Sequence, residues 1–324
     1  MRRRKMTTKK KSSVAADIFM PLPAREIITG LGNDNQPLLH TRLVGLSNLS
    51  PQDSQFFSGV WPGIDPGRRC QIVYRLLELA ENNIELNFDG IFKMCLGDGN
   101  DDVRSKAIEG LWENEEPSLA ETLVTMLEKD ASEKVQVAAA AALGKFAILT
   151  ENGNLRTDYK SRIEESLLAV IADKKRLLSV RSRALEAVAP FSIPGVKAAI
   201  LEAYQSREPE LKVSAVYAMG RNCDAGWLPL LLSELGSSDA ELRYEAAGAC
   251  AELEAEEAVF LLIRLVDDDD ADVQMAAVRA LGKIGNAEAK EYLERCLDSD
   301  SQLIREAVAE AMQLLKAEND GLFS

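Results

Sequence analysis

Apolar residues along the chain recur at helical spacing, and the recurrence itself repeats. Seven segments share one order: an aliphatic residue, then a basic residue or Gln, then Ala or Val at the fourth position. A small residue follows at the seventh position, and Leu, Met, Val or Cys at the eighth. The aliphatic anchors are Val103, Val135, Val180, Leu211, Leu242, Val273 and Ile304, and the four intervals from Val180 onward are each 31 residues. Counting 31 back from Val103 reaches Ile72, which makes eight units. Within a unit, the anchor and the positions 4, 7, 8 and 11 after it fall on one side of a 3.6-residue helix. The seventh positions, Gly110, Ala142, Ala187, Ala218, Ala249, Ala280 and Ala311, carry only small side chains. That pattern predicts close approach of two helices.

Each segment begins after a polar residue suited to capping a helix, such as Asn100, Ser132, Asp239, Asp270 or Ser301. Ahead of each lies a second apolar-periodic stretch, including Leu119–Leu127, Ile163–Ile171, Val196–Tyr204, Leu228–Leu235, Val259–Val266 and Ala289–Leu297. A unit is therefore a helix, a short turn and a second helix. No stretch alternates with period two, so no strands are predicted. The fold class that follows is all-α: a right-handed α-solenoid of about eight helical hairpins with a 31-residue period, in which neighbouring units bury each other's apolar faces.

The organisation predicted from these patterns has four parts. Residues 1–21 form a basic, disordered leader, residues 22–65 an N-terminal helical cap, residues 66–318 the solenoid, and residues 319–324 a C-terminal tail. In the cap, Ser50-Pro51 and Asp65-Pro66 each read as a capping residue followed by proline at the first helical position. Gln52–Val60 with Trp61 then forms a short helix. The interval from Val135 to Val180 is 45 residues, 14 more than the period. The excess is assigned to a surface loop at about 148–161, polar and turn-rich around Glu151-Asn152-Gly153-Asn154.

The segment Asp270-Ala271-Asp272-Val273-Gln274-Met275-Ala276-Ala277-Val278-Arg279-Ala280-Leu281-Gly282-Lys283-Ile284-Gly285 resembles the second helix of a short bacterial HEAT repeat, of the kind called phycobilisome-lyase HEAT-like. Weaker copies stand at Val103-Arg104, Val180-Arg181, Leu242-Arg243 and Ile304-Arg305. The resemblance covers about residues 66–316. It is specific for fold and unspecific for activity, because that family mixes scaffolds, accessory subunits and a few enzymes.

Charge narrows the partners. The chain carries 38 basic and 52 acidic residues, a net charge of −14. Seven of the basic residues lie within residues 1–11, so residues 12–324 hold 31 basic against 52 acidic residues and a charge of −21. Such a body repels phosphate backbones, which argues against nucleic acid as its partner. The leader fits a solvated tail, and it also has the sign needed to meet RNA, DNA or anionic lipid. No apolar run reaches the ~18 residues of a membrane-spanning segment. The five scattered cysteines, Cys70, Cys95, Cys223, Cys250 and Cys296, read as buried thiols of a reducing, cytoplasmic compartment.

Catalytic chemistry finds little to stand on. His40 is the one histidine, so nucleophilic triads and histidine-based metal sites lack members. HEAT-repeat deoxyhypusine hydroxylases hold a di-iron site with His-Glu pairs, whereas His40 is followed by Thr41. HEAT-repeat alkylpurine DNA glycosylases need a basic groove that this acidic body does not offer. Asp98–Asp102 begins like a calcium loop but has Val103 where the loop needs Gly. Asp267–Asp270 is explained by favourable placement of carboxylates at a helix start. Gly30-Leu31-Gly32 lacks the third glycine and preceding strand of a phosphate loop. No enzyme activity, cofactor or metal is predicted.

What remains is a surface. In HEAT arrays the second helices line the concave side. Positions 2 and 6 after each anchor point away from the core, and there Val213, Tyr217, Tyr244 and Met275 form an apolar and aromatic patch over three successive units. Arg221, Arg279 and Lys283 lie beside it. Tyr and Arg anchor protein interfaces more often than other residues. The expected function is a cytoplasmic, non-catalytic interaction scaffold holding a protein or extended peptide on repeats five to seven. An accessory subunit of an enzyme, as the lyase resemblance implies, and a tether acting through the basic tail are the alternatives. The pattern specifies neither the partner nor the oligomeric state.

Overall fold

The computed structural model describes residues 23–154 and 156–319. The expected leader at 1–21 lies outside them, as does all but the first residue of the expected tail at 319–324. The described residues are helical throughout, with no strand. They group into two compact units, divided between Met94 and Cys95.

The first unit contains α1 (Ala24–Gly30), α2 (His40–Leu43), α3 (Pro51–Val60), α4 (Pro66–Asn82) and most of α5 (Asp89–Cys95). Helix starts follow the local chemistry. The Ser50 hydroxyl accepts from the Asp53 N–H at 3.1 Å, Asp65 accepts from the N–H groups of Gly67 and Arg68, and a proline follows each cap. Phe57 and Trp61 stack with ring centroids 5.1 Å apart and are both buried. Arg68, only 8% exposed, donates to the carbonyls of Leu31 (3.1 Å), Asn33 (3.3 Å) and Gln36 (2.6 Å). The guanidinium thus satisfies the backbone of the irregular stretch after α1. The division places α4, which carries the Ile72 anchor, in this unit.

The second unit is a stack of helical hairpins. It opens with α6 (Asp101–Gly110) and continues with pairs α7 (Pro117–Lys129) and α8 (Glu133–Glu151), then α9 (Thr157–Ala172) and α10 (Leu178–Val188). Next come α11 (Pro194–Tyr204) and α12 (Pro209–Asn222), α13 (Leu228–Glu234) and α14 (Ala240–Glu252), α15 (Val259–Leu265) and α16 (Ala271–Ile284), and α17 (Ala287–Cys296) and α18 (Gln302–Asn319). The second helices pack on one another in chain order, α6 on α8, α8 on α10 and so on to α18, and each also packs on its hairpin partner. All eight anchors are buried, none more than 6% exposed. This is the α-solenoid expected from the repeat.

The small residues at the seventh position have a definite partner. A Cβ on Gly220 would lie 2.6 Å from the Cα of Ala249, and one on Gly282 would lie 2.8 Å from the Cβ of Ala311. The ninth position of one repeat therefore meets the seventh of the next, and neither tolerates bulk. Several turns are clamped by the residue after an anchor. Arg104 grips the Asp130 carboxylate through two bonds of 2.9 and 2.7 Å, while Gln136 donates to the Asp130 carbonyl at 2.6 Å. Arg243 and Gln274 repeat this arrangement around Asp268, at 2.8, 2.7 and 2.6 Å. Arg104 and Arg243 thus bind the turn that follows them, whereas Arg181 and Arg305 donate to the preceding carbonyls of Ile171 and Ser299.

Three local expectations are corrected. The extra residues after Val135 do not form a loop over 148–161: α8 continues to Glu151 and α9 begins at Thr157, so the insertion mostly lengthens helices. Alanine-rich sequence through Ala142 and on to Thr150 sustains the helix past its usual end. Ser132 makes no side-chain cap on α8; its hydroxyl is turned to donate to Asp101 at 2.8 Å. The five cysteines are thiols, but only Cys95 and Cys250 are buried; Cys223 is exposed. It ends α12 in a left-handed conformation, beyond the apolar stripe.

Candidate functional site

Successive second helices carry equivalent positions side by side, so a 31-residue offset converts columns of sequence into rows on the surface. On α12, α14 and α16 the sixth position after the anchor is Tyr217, Gly248 and Arg279, and the tenth is Arg221, Glu252 and Lys283. Gly248 is exposed, with nothing within 4 Å of where its Cβ would stand. The missing side chain opens a concavity of about 340 Å³ between Tyr217 and Arg279, lined also by Arg221, Tyr244, Glu245, Glu252 and Lys283. Tyr217 and Tyr244 are 39% and 37% exposed, so both rings present a face to solvent.

A second concavity, of about 790 Å³, adjoins the first through Tyr244, Glu245 and Arg279. It reaches from Ser182, Arg183 and Glu186 on α10, past Glu210 and Val213 on α12 and Glu241 on α14, to Asp270 and Asp272 at the start of α16. Of the seven residues expected to form the patch, the structure places five around the first concavity: Tyr217, Arg221, Tyr244, Arg279 and Lys283. Val213 lines the second, and Met275, half-buried, lines neither.

The character of the surface differs from the expectation in two ways. The second position after the anchor does not uniformly point outward: Ser105 and Ser182 are 6% and 3% exposed. Small hydroxyl residues there let the adjacent helices close over them. The patch is also less apolar than its tyrosines imply, because carboxylates fill its walls. Glu252 lies 3.1 Å from Lys283 and 3.6 Å from Arg221, one carboxylate shared between both flanking cations. Glu245 is half-buried, and burial first, then the charges of Glu186 and Glu241, push its carboxyl up to about 7. Burial likewise raises the Tyr217 hydroxyl, with Arg221 opposing and Glu186, Glu245 and Glu252 adding to the shift.

Glu245 and Glu252 were not among the residues selected from sequence. The signal for Glu252 was present, since it stands 31 residues from both Arg221 and Lys283. Glu245 occupies the third position after its anchor, where the two neighbouring repeats have the small Ser214 and Ala276, and it is the one acidic residue in that column.

The other candidate chemistry is accounted for locally. Asp268 belongs to the Arg243 clamp, and Asp270 caps α16 by accepting from the N–H groups of Asp272 and Val273. Asn100 caps α6 in the same manner. His40 lies 3.4 Å from Glu78 in the first unit. Among the described residues no group of three or more His, Cys, Asp or Glu side chains is arranged to hold a metal ion. None of their helices is long and apolar enough to cross a membrane.

The HEAT repeats family matches residues 88–154 and 228–313. No curated protein sequence matches the chain. Among solved structures, the complex of CpcE and CpcF of phycocyanin lyase from Nostoc sp. PCC7120 aligns with a TM-score of 0.50 and 16% identity, covering 87% of this chain and 97% of that one. Escherichia coli YibA aligns with a TM-score of 0.45 and 17% identity, over 75% of this chain and 96% of that one. A designed armadillo repeat protein aligns with a TM-score of 0.38 and 19% identity, over 61% and 99% of the two chains. At these identities the likeness concerns the fold alone. Residues 88–154 and 228–313 thus match HEAT repeats, within an all-helical solenoid.

Proposed function

We propose that the protein is a cytoplasmic, non-catalytic scaffold that holds a protein or extended peptide across the second helices of repeats five to seven. The observation that carries this reading is the pair Tyr217 and Tyr244, exposed on adjacent helices on either side of the open space above Gly248. An aromatic ring left 37–39% exposed next to arginine, in a concavity, has the composition of an interface anchor. The fold supports the same reading, because stacked repeats create a long continuous face from short units. Residues Val213, Arg221, Met275, Arg279 and Lys283 extend that face around the two rings.

The test is affinity capture from native lysate with the intact chain and with a Tyr217→Ala, Tyr244→Ala variant of equal helicity and melting temperature. A partner retained by the former and lost by the latter supports the docking face. Identical capture by both would show that these rings only pack against their neighbours.

A further inference from the structure

The larger concavity has a chemistry of its own. Its walls hold six carboxylates, Glu186, Glu210, Glu241, Glu245, Asp270 and Asp272, against two guanidiniums, Arg183 and Arg279. Arg183 is already held by Glu186 at 2.5 Å, and Glu186 also accepts from the Ser214 hydroxyl at 2.7 Å. No hydrogen bond or ion pair among the described residues engages the side chains of Glu210, Glu241 or Glu245. Ser182 lines the same wall; it is 3% exposed and its hydroxyl has no hydrogen-bond partner. The Ser182 hydroxyl carries the cost of an unmet buried polar group, while Glu210 and Glu241 are exposed and Glu245 half-buried, open to a donor from outside.

Resting on the reading of this face as a docking surface, we infer that the acidic half of the groove takes an extended cationic peptide. Its lysine or arginine heads lie between Glu186, Glu241 and Glu245, and its aliphatic stems cross Tyr244. Charge complementarity selects this occupant: an anionic segment or a nucleic acid meets repulsion, and the carboxylates are not gathered closely enough for a metal ion. Length selects an extended chain. The concavity crosses from α10 to α16, three helix-to-helix steps of about 9 Å each, which match about eight residues of extended backbone. The exposed Tyr244 ring adds a surface on which a guanidinium stacks favourably. The Glu245 carboxyl, raised by burial first and then by its acidic neighbours, is favoured in its charged form when a cation arrives.

The test uses a fluorescein-labelled nonapeptide alternating arginine with alanine, titrated with the full chain and read by anisotropy. The comparison peptide has glutamine in place of arginine. Two variants of equal charge change are compared: Glu241→Gln with Glu245→Gln in the groove, and Glu256→Gln with Glu257→Gln on an exposed turn. Expected is binding of the arginine peptide alone, weakened about tenfold or more by the groove pair and less than about twofold by the control pair. Equal weakening by both pairs would show diffuse attraction to an acidic body and overturn the inference, as would equal binding of the glutamine peptide. A partner that depends on Tyr217 and Tyr244 yet ignores the Glu241→Gln, Glu245→Gln pair would remove the cationic ligand and leave the docking face standing.

Discussion

Gly220 on α12 packs against Ala249 on α14 so closely that a Cβ on the glycine would lie 2.6 Å from the Ala249 Cα. Backbone faces backbone there, and neither helix can yield without disturbing the next repeat. Gly220→Ala is therefore expected to destabilise the chain by about 1–3 kcal/mol, the usual cost of overpacking. Gly248→Ala, in the same stack but facing open space, is expected to stabilise it by up to about 1 kcal/mol through helix propensity. Urea unfolding of the two variants reads the contrast directly. Equal and small effects would mean that the helices separate easily at this contact.

The Arg243 clamp gives a second prediction. Its two bonds to Asp268 are formed by side chains that are only 14% and 9% exposed. Arg243→Ala is expected to cost about 1.5–3 kcal/mol, as for hydrogen bonds to a charged group. The Arg243 guanidinium, with the Asp270 N–H assisting and burial opposing, holds the Asp268 carboxyl below the usual carboxylate range. A lowered folded-state value means stability present above the unfolded value and lost as pH falls through the folded one. Thermal unfolding of Asp268→Asn should accordingly depend less on pH than the parent below about pH 4.

Glu245 works in the opposite sense. Its folded-state value near 7 exceeds the ordinary 4.5, so the folded chain keeps a proton that the unfolded chain has released. Stability then falls as pH rises from about 4.5 towards 7, and the loss is complete above it. Glu245→Gln removes the penalty. The expected result is a higher Tm than the parent at pH 8 and an unchanged Tm at pH 5; a uniform gain at both would contradict a buried, crowded carboxylate.

Arg68 tests the first unit separately. Three carbonyls accept from its guanidinium, and truncation removes that shared donor from the buried Leu31 carbonyl and from the irregular stretch after it. Arg68→Ala is expected to cost about 2–3 kcal/mol, with loss of hydrogen-exchange protection in the helices α1 and α4. Arg68→Lys should fail to restore it, since a single ammonium cannot reach carbonyls arranged for a planar fork.

Several parts of this structure are legible residue by residue. Ser50-Pro51, Asp65-Pro66, Asn100 and Asp270 announce helix starts because capping is a contact between residues two or three apart. The alanines at 187, 218, 249, 280 and 311 announce close helix packing, and their spacing fixes which helices meet. Other features escape such reading. Ser132 has the right chemistry for a cap but finds Asp101, 31 residues earlier, as a better partner. Ser105 and Ser182 stand in a column expected to face outward, and their burial depends on how closely the neighbouring helices come.

The same division runs through the candidate site. Sequence alone determined the helical hairpin, its period, the core column and the rows on which Tyr217, Tyr244, Arg279 and Lys283 stand, because each follows from local helix geometry repeated at constant spacing. Tertiary structure alone decided that Gly248 opens a concavity and that Glu186, Glu241 and Glu245 crowd one wall. Those outcomes depend on distances between side chains about 30 to 60 residues apart, set by how tightly each helix leans on the next. A charge pattern records which groups are present; desolvation and mutual repulsion, which give Glu245 its unusual proton affinity, arise only once the helices have packed.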